Sequence, residues 1–228
     1  MATTVAFDVY GTLIDTSGVI SALEKVIGGQ AVVMSELWRQ KQLEYSFRRG
    51  LMQNYRDFSV CTRQALDYAC EFLGVDISPA DKGRLMEGYK VLPAYADVEE
   101  GLARLKDSGV RMFAFSNGRA EDVRGLLANA GIEGHFEGVV SVDDVRSFKP
   151  NPAVYAHFLR QAGARGSDSW LVSGNPFDVI GAMSAGMRGA WVKRSPRAVF
   201  DPWEFEPTVT VGDLGELHDA LAGERGRS

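Results

Sequence analysis

The sequence predicts a doubly wound α/β protein, a parallel sheet flanked by helices and interrupted early by a helical insertion. Three observations carry this. Val5-Ala6-Phe7 is a short apolar run suited to a strand buried on both faces, and Asp8 and the turn-permitting Gly11 follow it. Residues 16 to about 91 then show helical spacings without strand alternation. From Pro93 onward, strand and helix patterns alternate. An insertion between the first strand and the rest can fold back as a lid. The expected division is a core of 1–15 and 92–228 with a helical cap domain of 16–91.

In the insertion, Ser35 precedes a long pattern from Glu36 to Leu51, with Met34, Leu37, Trp38 and Tyr45 on one apolar face. A second face carries Arg39, Gln40, Leu43 and Phe47 at spacings of three and four. Arg39 there is either a snorkelling surface cation or a partly buried one facing a pocket. Further helices are expected from Val60 to Leu73, ending at Gly74, and from Pro79 to about Leu92.

The next helix buries Val98, Leu102 and Leu105, carries Glu99 and Glu100 in its first turn and Lys106 in its last, and is capped by Gly109. Strand 111–115 leads to Ser116-Asn117-Gly118. A helix with Val123, Leu126 and Leu127 stops at Gly131, and strand 138–141 precedes Lys149-Pro150. Asn151 as N-cap and Pro152 at N1 open a helix bearing Tyr155, Phe158 and Leu159. Strand 170–172 ends at Ser173-Gly174-Asn175-Pro176-Phe177-Asp178, before a Gly- and Ala-rich helix. Two last strands are expected at 189–192 and 208–211, and the tail from Glu224 reads as polar and frayed.

Composition narrows the partners. A hydrophobic share of 45% and a charged share of 24% fit a soluble globular protein, and a net charge of −5 offers nothing to nucleic acid or an anionic membrane. No apolar run reaches membrane-span length, and Met1-Ala2-Thr3-Thr4 does not read as a signal peptide. Cys61 and Cys70 lie nine apart in a helical pattern, which fits buried thiols of a reduced, cytoplasmic protein better than a disulfide or a metal pair.

Polar groups stand at three strand ends: Asp8 with Thr12, Ser116 with Asn117, and Ser173 with Asn175 and Asp178. Lys149 sits just before a helix that packs on the same sheet. Each has an ordinary structural explanation as a turn residue, an N-cap, a first-turn acid or a solvated lysine. Parallel strands, however, put all their carboxyl ends along one edge, so these groups can share a cleft.

These four stretches, in order, resemble the four motifs of the haloacid dehalogenase superfamily, whose members share a Rossmann-like core. The segment Leu37-Trp38-Arg39-Gln40-Lys41-Gln42-Leu43-Glu44-Tyr45 is similar to the L-2-haloacid dehalogenases in particular. Most of the superfamily are magnesium phosphatases, which place a second aspartate two residues after the nucleophile to protonate the leaving alkoxide. Here that position is Tyr10, and Gly174 replaces an acidic residue of the fourth motif. A halide leaves as the anion of a strong acid and needs no proton. The departures therefore agree with carbon–halogen chemistry, without metal or cofactor.

The resemblance implies hydrolysis of short L-2-haloalkanoic acids to D-2-hydroxy acids through an aspartyl ester. In it Asp8 is the nucleophile, Lys149 keeps Asp8 ionised and Thr12 orients it. Ser116 and the amides around Asn117 hold the substrate carboxylate, and Arg39 and Asn175 receive the halide. Asp178, with Lys149 and Ser173, positions the hydrolytic water. Tyr10, Gln40, Leu43, Phe58 and Phe177 line the pocket, and Tyr155 supports Lys149. Phe177 stands where the dehalogenases often carry tryptophan, which bears on substrate size. The resemblance also implies a homodimer. Other readings of the same residues are a hydrolase of another α-substituted carboxylate, an atypical phosphatase, or a non-catalytic binding protein.

Overall fold

The computed structural model describes residues 3–225. Six strands form one parallel sheet: β1 (Thr4–Phe7), β2 (Arg111–Ser116), β3 (Gly138–Ser141), β4 (Ser169–Ser173), β5 (Arg188–Val192) and β6 (Val209–Val211). Their spatial order is β3-β2-β1-β4-β5-β6. β1 is central, pairing Val5 with Met112 on one side and with Trp170 on the other. The chain thus winds outward in both directions from β1, and the carboxyl ends of β1, β2 and β4 flank the crevice where such sheets bind ligands.

Nine longer helices accompany the sheet among the described residues: α1 (Ile20–Ile27), α2 (Ala31–Leu51), α3 (Phe58–Leu73), α4 (Pro79–Gly88), α5 (Val98–Asp107), α6 (Ala120–Asn129), α7 (Pro152–Ala162), α8 (Pro176–Ser184) and α9 (Leu214–Arg225). Alternate side chains of each central strand enter opposite layers, as the period of two requires. Val5 and Phe7, Met112 and Ala114, and Trp170 and Val172 join the layer holding Leu102, Val123 and Leu217 from α5, α6 and α9. Ala6, Phe113, Phe115 and Leu171 face the other layer, with Val154 and Phe158 of α7 and Ala182 of α8. Leu23, Met34, Trp38 and Leu66 of α1–α3 are continuous with the first layer, so the inserted helices pack directly above the carboxyl edge.

Several boundaries differ from expectation. α2 begins at Ala31, not Glu36, and Ser35 is a buried interior residue. The apolar stripe Ala31–Met34–Trp38, all essentially unexposed, already runs at helical spacing and overrides the cap signal of Ser35. α3 opens two residues early because the Asp57 side chain accepts from the Ser59 amide. α4 ends at Gly88, and a 3₁₀ turn at 89–91 completes the segment. The sequence reading passed over α9, although Leu214, Leu217 and Leu221 form a buried stripe. Glu224 and Arg225 belong to this helix; the rest of the expected tail, and Met1 and Ala2 at the other end, lie outside the described residues. Among the described residues, no helix is long and apolar enough to cross a membrane, and Cys61 and Cys70 are free and buried.

Candidate active site

Asp8 is the first residue beyond β1, its amide donating to the carbonyl of Val172 on β4 at 2.9 Å. The chain then reverses through Gly11, whose φ of +80° is a conformation glycine adopts without penalty. This turn carries Thr12 back onto Asp8. The Thr12 hydroxyl donates to Asp8 Oδ2 at 2.7 Å and accepts from the Gly174 amide at 2.8 Å, so one side chain joins the ends of two strands. Oδ2 also accepts from Ser173 Oγ at 3.1 Å and from Asn175 Nδ2 at 2.7 Å. Oδ1 accepts from Lys149 Nζ at 3.1 Å.

Lys149, 1% exposed, reaches this point from the loop before α7. Its backbone amide donates to Asn117 Oδ1 at 3.0 Å. The ammonium spends its three hydrogens on Asp8 Oδ1, on Asp178 Oδ2 at 2.7 Å and on the carbonyl of Phe115 at 2.8 Å. The Phe115 ring lies 4.2 Å away as a further partner for the charge. Asp178, fully buried in the first turn of α8, receives the Tyr155 hydroxyl on Oδ1 at 2.8 Å.

The two carboxylates are driven apart. Burial pushes Asp8 up, but the Lys149 charge, the Thr12 hydrogen bond and the more distant Arg39 prevail and hold it below the usual carboxylate range. Burial dominates at Asp178 and lifts it to about 6, with Lys149 opposing and the Asp8 charge adding to the rise. For Lys149 burial works downward, yet Asp178 and Asp8 together raise it, so the ammonium stays charged.

Arg39 projects from α2 into the turn after β1. Its Nη2 donates to the Tyr10 carbonyl at 3.1 Å and its Nη1 to Gln42 Oε1 at 2.8 Å. A Cβ placed on Gly11 would lie 3.7 Å from Arg39 Nη2 and 3.8 Å from the Asn175 amide, so the three groups meet. Of the two readings open for Arg39, the pocket-facing one holds. The N-cap reading of Ser116 and Asn117 does not: Arg119 caps α6, while Ser116 Oγ accepts from the Gly118 amide at 3.1 Å.

Other expectations are corrected. Asn175 directs both amide hydrogens inward, one to Asp8 Oδ2 and one to the Tyr10 carbonyl at 3.2 Å. Ser173 faces Asp8 rather than Asp178. The Asn117 side chain holds the Lys149 backbone. Tyr155 bonds Asp178, supporting the ammonium through that carboxylate alone. Gln40 is exposed and borders a cavity that Arg39 also lines, together with Thr16, Ser35 and Tyr89. Leu43 lies one turn beyond Arg39 and is partly buried. Tyr10 and Phe58, with ring centroids 6.2 Å apart, line a small cavity with Gln42, Tyr89 and Gly118. Phe177 packs edge-on against Phe47 at 4.9 Å and borders a different, apolar cavity of about 500 Å³ with Leu51, Phe148 and Trp203.

Two supports escaped the sequence reading. Gln42 lies on the stripe of Arg39, three residues on, and that spacing was a usable signal. Arg194 gave none: it follows β5 in a loop, yet its Nε and Nη2 clamp the Thr12 carbonyl at 3.0 and 2.6 Å while Nη1 pairs with both oxygens of Asp97 at 2.7 Å.

A divalent cation of the phosphatase kind does not suit this donor set. The position between the two carboxylates belongs to the Lys149 ammonium. A side chain at 174 would run into the Gly11 carbonyl, so an acidic ligand there needs the turn to move. No cluster of three or more His, Cys, Asp or Glu side chains suited to a metal occurs among the described residues.

A buried, ionised carboxylate backed by an ammonium and facing a crevice is suited to attack on an electrophilic centre. The class defined is a hydrolase built on a doubly wound parallel sheet. A model of the haloacid dehalogenase-like hydrolases matches residues 2–186. The haloacetate dehalogenase H-2 of Moraxella sp. (strain B) is 39% identical over 96% of this chain and 97% of its own. An (S)-2-haloacid dehalogenase of Pseudomonas putida is 36% identical over 95% of both. The structure of the Xanthobacter autotrophicus L-2-haloacid dehalogenase with chloropropionic acid covalently bound superposes with a TM-score of 0.89, at 33% identity, over 98% of this chain and 99% of that one. The chain belongs to the haloacid dehalogenase-like hydrolases and, within them, to the (S)-2-haloacid dehalogenase family.

Replacing Lys149 with Met leaves two buried carboxylates facing each other without a counterion. The variant is expected to lose about 3–5 kcal/mol of stability at neutral pH. Both carboxylates then have folded pKa values raised above their unfolded ones. The deficit should therefore shrink as pH falls through those raised values and each takes up a proton. Urea denaturation of both proteins at pH 7 and pH 5 measures it; equal stability at pH 7 contradicts the arrangement.

Proposed function

We propose that this protein hydrolyses short L-2-haloalkanoic acids to D-2-hydroxy acids and halide, through an ester on Asp8. The observation that carries the reading is the unequal treatment of the two Asp8 oxygens. Oδ2 is saturated by Thr12, Ser173 and Asn175, whereas Oδ1 has the ammonium alone. Oδ1 therefore keeps a lone pair for attack. It bonds to the substrate Cα from behind the halogen, the carbon–halogen bond breaks, and the halide leaves with the electron pair toward Arg39. Ser116, whose hydroxyl accepts from an amide and keeps its hydrogen to donate, and the amide-rich turn at Asn117–Gly118 hold the substrate carboxylate.

Water then attacks Cγ of Asp8. Asp178 takes its proton, and the negative charge that develops on Oδ2 meets the three donors already in place. Collapse breaks the Cγ–Oδ1 bond. Lys149 bridges Oδ1 and Asp178 Oδ2, so it can protonate the departing alkoxide and recover the proton from Asp178, while the second water proton, left on the Asp8 carboxyl, is released to solvent as Asp8 re-ionises. Tyr10, Leu43 and Phe58 provide apolar walls, and the helices of 16–91 act as the cap domain that carries Arg39. The exposed apolar side chains of Leu51 (85%), Met52 (64%) and Trp203 (64%) support a homodimer, and sedimentation equilibrium giving a monomer would remove it. Two free, buried cysteines fit a cytoplasmic location, which cell fractionation checks.

A single turnover of L-2-chloropropionate in ¹⁸O-water, with enzyme in excess and a chelator present, should yield unlabelled D-lactate and place the label in the peptide carrying Asp8. Labelled product with no label in that peptide would mean that water attacks carbon directly. Abolition of turnover by the chelator would return the chain to metal-dependent chemistry.

The separated carboxylates predict a second outcome. Asp178, at about 6 in the free enzyme, loses the raising effect of the Asp8 charge once the ester forms and sits lower there. Below that lower value ester hydrolysis should slow by roughly tenfold per pH unit while ester formation by the still ionised Asp8 continues. Rapid-quench experiments at pH 5 should show a halide burst of one per active site and accumulated ester. A turnover that falls with no burst would place the limiting titration in the first step.

A further inference from the structure

We infer that Gln42, with Thr62 behind it, is a positioning residue that aims the Arg39 guanidinium while leaving its positive charge unspent for the departing halide. The inference rests on the reading of Arg39 as the halide-receiving group and goes beyond it in naming what holds that group in place. Gln42 is 1% exposed, between α2 and α3. Its Oε1 accepts from Arg39 Nη1 at 2.8 Å, and its Nε2 donates to Thr62 Oγ1 at 2.6 Å. The Thr62 hydroxyl in turn donates to the Phe58 carbonyl at 2.9 Å, one turn back on α3.

This chain of hydrogen bonds runs in one direction. A guanidinium has donors only, so the group facing it must be the amide oxygen. The Thr62 hydrogen is spent on a carbonyl, so toward Gln42 this hydroxyl can only accept, and it meets the amide nitrogen. Each end independently demands the same orientation, and a flipped amide would lose both bonds. The remaining support is rigid: the Thr62 carbonyl accepts from Trp38 Nε1 at 2.8 Å, and Trp38 is fully buried.

The chemistry of the acceptors matters as much as the direction. Arg39 is held by two neutral carbonyl oxygens, those of Gln42 and Tyr10. A carboxylate at either place would orient the guanidinium equally well but would compete with the halide for its charge. Gln42 thus supplies orientation without neutralisation, which a Glu of nearly the same shape cannot do.

The test is a double-mutant cycle read on the two chemical steps separately. Halide release in a single turnover of L-2-chloropropionate reports the first step, and decay of the Asp8 ester reports the second. Gln42→Leu should slow halide release by about 10–100-fold, the range for losing a hydrogen bond to a charged group, and leave ester decay unchanged. In an Arg39→Ala background the same substitution should change halide release by less than about twofold, because the group it acts through is gone. Gln42→Glu should slow the first step as well and weaken product inhibition by bromide. Thr62→Val should reproduce the Gln42→Leu defect in part and Thr62→Ser should restore it, which keeps the test available if Gln42→Leu does not fold. Additive losses with a slow Arg39→Ala, or equal slowing of both steps, would make Gln42 a merely structural residue and overturn the assignment. Halide release at the wild-type rate in Arg39→Ala would instead overturn the halide reading, and this inference with it.

Discussion

The site depends on one interaction, the Lys149 ammonium held between Asp8 and Asp178 where water hardly reaches. Two carboxylates at 8% and 0% exposure could not both ionise without a cation between them. The ammonium does not treat them alike, because their surroundings differ. Asp8 receives three further donors and Asp178 one, so Asp8 sits below the ordinary range and Asp178 at about 6. The division of labour proposed for Asp8 as nucleophile and Asp178 as base follows from that asymmetry, as it does wherever two like groups are pushed apart by their environments.

Thr12 is the joint through which the fold reaches this triad. Its hydroxyl touches Asp8 and the Gly174 amide, and its carbonyl takes two donors from Arg194. Arg194 is paired with Asp97, which also accepts from the Leu214 amide at the start of α9. The turn carrying Asp8 is thus tied to β4, to the loop after β5, and to the adjacent helices α5 and α9. Gly174 makes the close approach possible, since a side chain there would collide with the Gly11 carbonyl. The inserted helices meet the same turn from above, through Arg39 on the Tyr10 carbonyl.

Much of this was legible in the sequence, for identifiable reasons. The strand ends were readable because a strand buried on both faces is an unbroken apolar run, and the first polar residue after it marks the sheet edge. Asp8, Ser116 and Ser173 all stand at such a break, and the parallel topology makes that edge common to them. Helix starts were less legible where local cap chemistry and the apolar stripe disagreed. At Ser35 the stripe prevailed, because burying Ala31, Met34 and Trp38 outweighs a hydroxyl on an orphan amide. At Asp57 the cap prevailed and moved the start of α3 forward.

By itself the sequence determined the sheet and the insertion, which follow from periodicity, and the polar groups at the strand ends, whose expected roles rest on the resemblance of their motifs to a known family. It could not determine partnership. That Asn175 donates to Asp8, that Tyr155 holds Asp178 rather than Lys149, and that Arg194 and Gln42 adjoin the site were decided by the tertiary structure alone. Hydrogen bonds have direction and a reach of about 3 Å. Which donor finds which acceptor is therefore settled only when segments as far apart as Thr12 and Arg194 are packed against each other.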